Sequence, residues 1–168
     1  MTRILNAERR EPVSGETRSA VVFLHGYGAN GADLLGLADL NAFLDALMVD
    51  EDLLPEQVVL FGFSQGTMMA LHVAPRREDA VAGIVAFSGR LLSPESLKDD
   101  AVSRPPVLLV HGDVDDVVPP QSLPDAAEAL QEAGWTDVFA HIMKGTGHGI
   151  APDGLSVALA FMRDKLSL

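Results

Sequence analysis

Short apolar runs recur along this chain, and helical patterns follow most of them. That alternation confines it to an α/β class, a mostly parallel sheet covered by helices on both faces. The runs are 20–25 (AVVFLH), 57–63 (QVVLFGF), 82–87 (AGIVAF), 106–111 (PVLLVH) and 137–143 (DVFAHIM). The middle three are almost free of polar residues, as strands buried on both faces must be. Helices are predicted at 66–74, 122–133 and 153–165. In the last, Leu155, Leu159, Met162 and Leu166 fall at helical spacing and Asp153 stands where a cap would. Leu37, Leu40, Leu44 and Leu47 repeat in the same way between positions 33 and 49. Residues 91–104 read as loop with room for one short helix.

With 168 residues, 48% of them apolar, the chain 1–168 is expected to form one domain with a substantial core. Its net charge of −12 argues against nucleic acid or an anionic membrane as the main partner. The lack of cysteine excludes disulfides, thiolate metal sites and thiol nucleophiles. The first twenty residues hold no apolar stretch of signal-peptide length, and no run is long enough to span a membrane. A soluble cytoplasmic protein is therefore expected.

Ligands of open α/β sheets bind at the carboxyl ends of the strands. Four strand-end turns carry unusual residues here: HGYGANG (25–31), GFSQG (62–66), HGDVDDVVP (111–119) and KGTGHG (144–149). Gly62-Phe63-Ser64-Gln65-Gly66 is a G-x-S-x-G sequence between an apolar run and a helical pattern. Such a turn holds its serine in a strained backbone, with glycines where side chains would clash, and makes Ser64 the candidate nucleophile. The following helix start offers the Gln65 backbone N–H to a developing oxyanion. Met68 and Met69 are expected to be core packing.

A serine hydroxyl needs a base, and the base needs a carboxylate to orient it. Among five histidines, His141 lies within a strand and His72 within a helix. His25 and His111 end strands just before a glycine, where a structural hydrogen bond within the loop is the expected use. His148 follows the last strand between two glycines, and is the candidate base by the Ser…Asp…His order of this kind of fold. Asp113, Asp115 and Asp116 compete for the carboxylate role, and spacing alone does not choose among them. A competing motif, G-x-G-x-x-G at 26–31, could open a dinucleotide site, but the acidic residues at the right offset, Asp45 and Asp50, lie in a helical pattern. A hydrolase-like protein kept only for partner binding is the other alternative.

Taken in order, HGYGANG, GFSQG, HGDVDDVVP and GTGHGI resemble the phospholipase/carboxylesterase group of α/β-hydrolases, which includes the acyl-protein thioesterases. The resemblance spans nearly the whole chain. It implies a three-layer α/β-hydrolase sandwich with nucleophile Ser64, base His148, carboxylate Asp115, and oxyanion donors at the backbone N–H groups of Tyr27 and Gln65. It further implies hydrolysis of small or short-to-medium acyl esters through an acyl-enzyme, with no metal or organic cofactor, or else thioesterase or lysophospholipase-like activity, and often a homodimer. Near 39–41 roughly 45–50 residues of the family pattern have no counterpart, more than one βαβ crossover. A strand that would lie beside 20–25 goes with them, so that run should present an open edge unless a segment is missing from the sequence near 39–41, or residues 3–10 or a partner chain cover it.

Overall fold

A computed structural model of the chain describes residues 7–25 and 33–168. Five parallel strands stand in sequence order: β1 (Ala20–Leu24), β2 (Val58–Phe63), β3 (Gly83–Phe87), β4 (Val107–Gly112) and β5 (Val138–Met143). Between them run α1 (Asp33–Asp50), α2 (Gln65–Val73), α3 (Pro94–Asp100) and α4 (Ser122–Glu132), and α5 (Pro152–Lys165) follows β5. Strands laid down in order by right-handed crossovers put every connecting helix on the same face of the sheet. Leu40 and Leu44 of α1, Leu71 of α2, Leu97 of α3 and Leu130 of α4 accordingly share one core with Val58, Leu60, Ile84, Val107 and Leu109. The alternate strand residues, Val59, Phe61, Val85, Phe87, Leu108 and Val110, turn to the opposite face and pack against α5. The result is the three-layer α/β-hydrolase sandwich.

Strands β3 and β4 are buried throughout and β2 along all but its last residue, whereas β1 and β5 at the sheet edges are only partly covered. The apolar density of the three middle runs thus follows from their central place. The predicted short helix between 91 and 104 is α3.

The helix predicted at 153–165 is α5. Its buried face is made of Gly154, Ala158, Phe161 and Met162, while Leu155 and Leu159 are 43% and 50% exposed. Small residues at 154 and 158 let the helix settle close to the sheet: a Cβ on Gly154 would stand 2.4 Å from Met143 Sδ. The leucine stripe is thereby turned to the shoulder of the helix. Asp153 stands in the first turn and not at the N-cap, which is Ala151; its carboxylate accepts a 2.8 Å hydrogen bond from His141 Nε2 and also draws on the Gly154 backbone N–H.

Helix α1 runs unbroken through 39–41, where the family pattern's further strand has no counterpart. Among the described residues no strand pairs with the outer edge of β1. Of residues 3–10, 3–6 lie outside the described residues and 7–10 form no ladder with it; Arg9 pairs with Glu51 and Glu11. Phe23 of β1 is 67% exposed, with the Phe61 ring tilted beside it at 5.0 Å.

Candidate active site

The turn from β2 into α2 is built by two close approaches. A Cβ at Gly62 would lie 2.5 Å from the Thr67 backbone, and one at Gly66 would lie 1.8 Å from the carbonyl oxygen of Leu24 on β1. Only glycine at both positions lets the strand reverse directly into the helix while the helix start presses on the neighbouring strand. The residue at the apex pays with its backbone: Ser64 sits at φ 53°, ψ −116°, outside the regions open to most L-residues. The Ser64 N–H is anchored at 2.9 Å on the Phe87 carbonyl at the end of β3, and the buried Thr67 hydroxyl donates to that same oxygen at 2.7 Å.

The loops after β4 and β5 are fastened to each other. Asp113 N–H donates to the Met143 carbonyl at 3.2 Å, Val114 N–H to that of Thr146 at 3.2 Å, and Gly145 N–H to Asp113 Oδ1 at 2.6 Å. His148 must reach back from β5 to β2, three strand spacings or about 14 Å. The loop opens on a turn at 144–145, crosses the end of β4 at Thr146, and leaves the His148 and Ser64 side chains to close the remaining distance.

These loops bring three of the sequence candidates into one hydrogen-bonded chain. Ser64 Oγ lies 3.0 Å from His148 Nε2, and His148 Nδ1 lies 2.8 Å from Asp115 Oδ2. The other carboxylate oxygen, Oδ1, accepts from the N–H groups of Val117 and Val118, each at 2.9 Å. Burial pushes the Asp115 carboxyl up, but the bonds from His148, Val118 and Val117 outweigh it and hold the group below the ordinary carboxylate range. An ionised carboxylate can only accept, so Nδ1 of His148 carries the proton. In the neutral ring Nε2 is then the acceptor, turned to the serine hydroxyl. The Phe63 ring packs against the imidazole at 4.9 Å and fixes its plane.

Of the three aspartates that spacing left open, one meets the imidazole: Asp115 is buried against His148, whereas Asp113 binds Gly145 N–H and Asp116 is exposed. Gln65 opens α2 immediately after Ser64. Tyr27 lies outside the described residues, as does the G-x-G-x-x-G stretch at 26–31. His111 makes the loop hydrogen bond expected of it, from Nε2 to the Val118 carbonyl at 3.0 Å. Met69 packs on the helix-side core, and Met68 is half-buried. Sequence reasoning missed the Thr67–Phe87 bond and the two amides on Asp115. The first has a faint signal in a hydroxyl three residues after the candidate nucleophile; the second are backbone groups with none. Among the described residues, no group of three or more His, Asp or Glu could hold a metal ion, and no helix is long and apolar enough to cross a membrane.

Residues 37–166, which carry Ser64, Asp115 and His148, match the phospholipase/carboxylesterase family. The chain belongs to that family. Among its relatives are acyl-protein thioesterase 1 of Gibberella zeae, 34% identical over 70% of this chain and 52% of the relative, and acyl-protein thioesterase 1 of Saccharomyces cerevisiae, 32% identical over 71% of this chain and 54% of the relative. The chain thus spans about half the length of these curated family members. The crystal structure of esterase PE8 superposes with a TM-score of 0.85 at 35% identity, covering 94% of this chain and 97% of that one.

Proposed function

We propose that the protein is a serine carboxylic-ester hydrolase working through an acyl-enzyme. The observation that carries this reading is the unbroken chain Ser64 Oγ–His148–Asp115, at 3.0 Å and 2.8 Å. In the first half-reaction Ser64 Oγ attacks the ester carbonyl carbon as its proton passes to His148 Nε2. Asp115 holds the ring in that tautomer and stabilises the imidazolium that forms. The tetrahedral oxyanion is met by the backbone N–H of Gln65, at the positive end of α2, and by that of Tyr27. The imidazolium then protonates the departing alcohol oxygen. In the second half-reaction water gives its proton to His148 and its oxygen to the acyl carbon, and Ser64 recovers its hydrogen as the acid leaves. None of these steps needs a metal or an organic cofactor.

Small or short-to-medium acyl esters are the expected substrates. The names of the fungal relatives support a second reading for the same site, hydrolysis of acyl thioesters. The family likeness also leads us to expect a cytoplasmic homodimer.

A screen of p-nitrophenyl esters from acetate to decanoate, run beside acyl thioesters, tests both substrate readings. The wild type should turn over at least one series with a burst of p-nitrophenol, and an active-site-directed fluorophosphonate should label Ser64. Ester turnover surviving Ser64→Ala would end the proposal. Absence of labelling in a folded wild type would favour a hydrolase-like binding protein, and tight NAD binding without turnover a dinucleotide module.

A further inference from the structure

His111 is the penultimate residue of β4 and is only 3% exposed, in a strand whose preceding residues are all apolar. Its Nε2 lies 3.0 Å from the Val118 carbonyl, and because a carbonyl only accepts, Nε2 must carry the hydrogen. The same nitrogen stands 3.3 Å from Asp115 Oδ2, the oxygen that receives the His148 Nδ1 hydrogen. Val118 in turn donates its own N–H to Asp115 Oδ1. One imidazole N–H therefore holds the far end of the 112–118 turn by its carbonyl and presents its positive end to the carboxylate inside that turn.

We infer that His111 is a positioning residue for Asp115: its Nε2–H closes the turn that aims the carboxylate at His148. This rests on the proposed triad, since without it Asp115 has no reacting partner to be aimed at. An apolar residue would satisfy the burial of position 111 equally well, so burial does not account for a histidine there. With the N–H absent, the Val118 carbonyl loses its tie to β4, and the Val117 and Val118 amides are free to drift from Oδ1. Oδ2 would also lose a neighbouring positive hydrogen. The ionisable groups around it are few: Asp115 on its own loop, His148 from the loop after β5, and Asp113, which is engaged by Gly145 N–H.

The test compares His111→Met, which fills the space without a donor, with His111→Gln, whose amide N–H reaches the position of Nε2. Ester hydrolysis is followed for kcat and KM separately. His111→Met should lose roughly 10- to 100-fold in kcat with KM nearly constant, the cost of a misplaced catalytic group. His111→Gln should restore it. If His111→Met does not fold, His111→Asn replaces it; that amide is one methylene too short to reach Val118 and should show the same loss. Wild-type kcat in the donor-free variant, a rise in KM that accounts for the loss, or a glutamine variant as impaired as the methionine variant would each overturn the inference. Turnover persisting in Ser64→Ala or His148→Ala would remove the triad itself, a pattern none of the His111 outcomes can imitate.

Discussion

The Phe87 carbonyl at the end of β3 accepts the Thr67 hydroxyl at 2.7 Å, on the same oxygen that anchors the strained N–H of Ser64 at 2.9 Å. The Thr67 bond ties the first turn of α2 to the neighbouring strand, so the serine's position depends on two strands and a helix together. Thr67→Val keeps the shape and removes the donor. It should cost about 1 kcal/mol in a urea melt, an ordinary net hydrogen-bond value. Ester kinetics should show the loss mainly in kcat, and Thr67→Ser should recover most of it. An unchanged kcat would mean that the Gly62 and Gly66 contacts alone hold the turn.

The three aspartates of the loop after β4 should separate sharply. Asp115→Asn removes the charge that sets the His148 tautomer, and a loss of about 10³- to 10⁴-fold in kcat is expected. Asp113→Asn keeps an oxygen that can still accept from Gly145 N–H, and Asp116 is exposed, so both variants should stay within a few-fold of wild type. Steady-state hydrolysis of one activated ester suffices to rank them.

Two glycines give a contrast in stability. At Gly66 a Cβ would stand 1.8 Å from the Leu24 carbonyl, and backbone on both sides cannot give way cheaply. Gly66→Ala should cost at least about 3 kcal/mol, the upper end of overpacking. Gly145 has φ +66° but nothing within 4 Å of an added Cβ, so Gly145→Ala should cost only the left-handed backbone penalty, about 1–2 kcal/mol. Chemical denaturation of the two variants measures the difference, and similar midpoints would contradict the packing argument.

Acid should weaken the fold through the carboxylate that meets His148. The Asp115 carboxyl is held below its ordinary value, so the unfolded chain binds its proton more readily than the folded one. Stability from this group is complete above the unfolded value of about 3.9 and is lost as pH falls through the lower folded value. Asp100 and Asp153, lowered by their bonds to Ser96 and His141, lose theirs in the same direction. Thermal melts between pH 2 and 7 should fall below about pH 4 in the wild type, and less steeply in Asp115→Asn. Parallel slopes would show that Asp115 carries no such linkage.

Much of this was legible in the linear chain, where a local pattern reports a local environment. The runs 57–63, 82–87 and 106–111 announced strands buried on both faces, and the structure puts β2, β3 and β4 in the sheet interior. GFSQG announced a strand-to-helix turn because glycine and serine at that spacing answer to the sterics of their immediate neighbours. The buried face of α5 was not legible, for the complementary reason. Leucine spacing reports which side of a helix is apolar, whereas the side that lies down is set by how close the sheet will allow it, and Gly154 and Ala158 decide that.

What the sequence determined, then, was the alternation of elements and the turns that carry reactive residues, since both are written in contacts between residues near one another in the chain. Spacing left three neighbouring aspartates open and only the resemblance pointed to Asp115; tertiary structure set Asp115 against His148 Nδ1 and joined Ser64 to Phe87. Each of those outcomes is a distance between groups on different strands, and such distances exist only once the sheet has fixed the order and spacing of its strands.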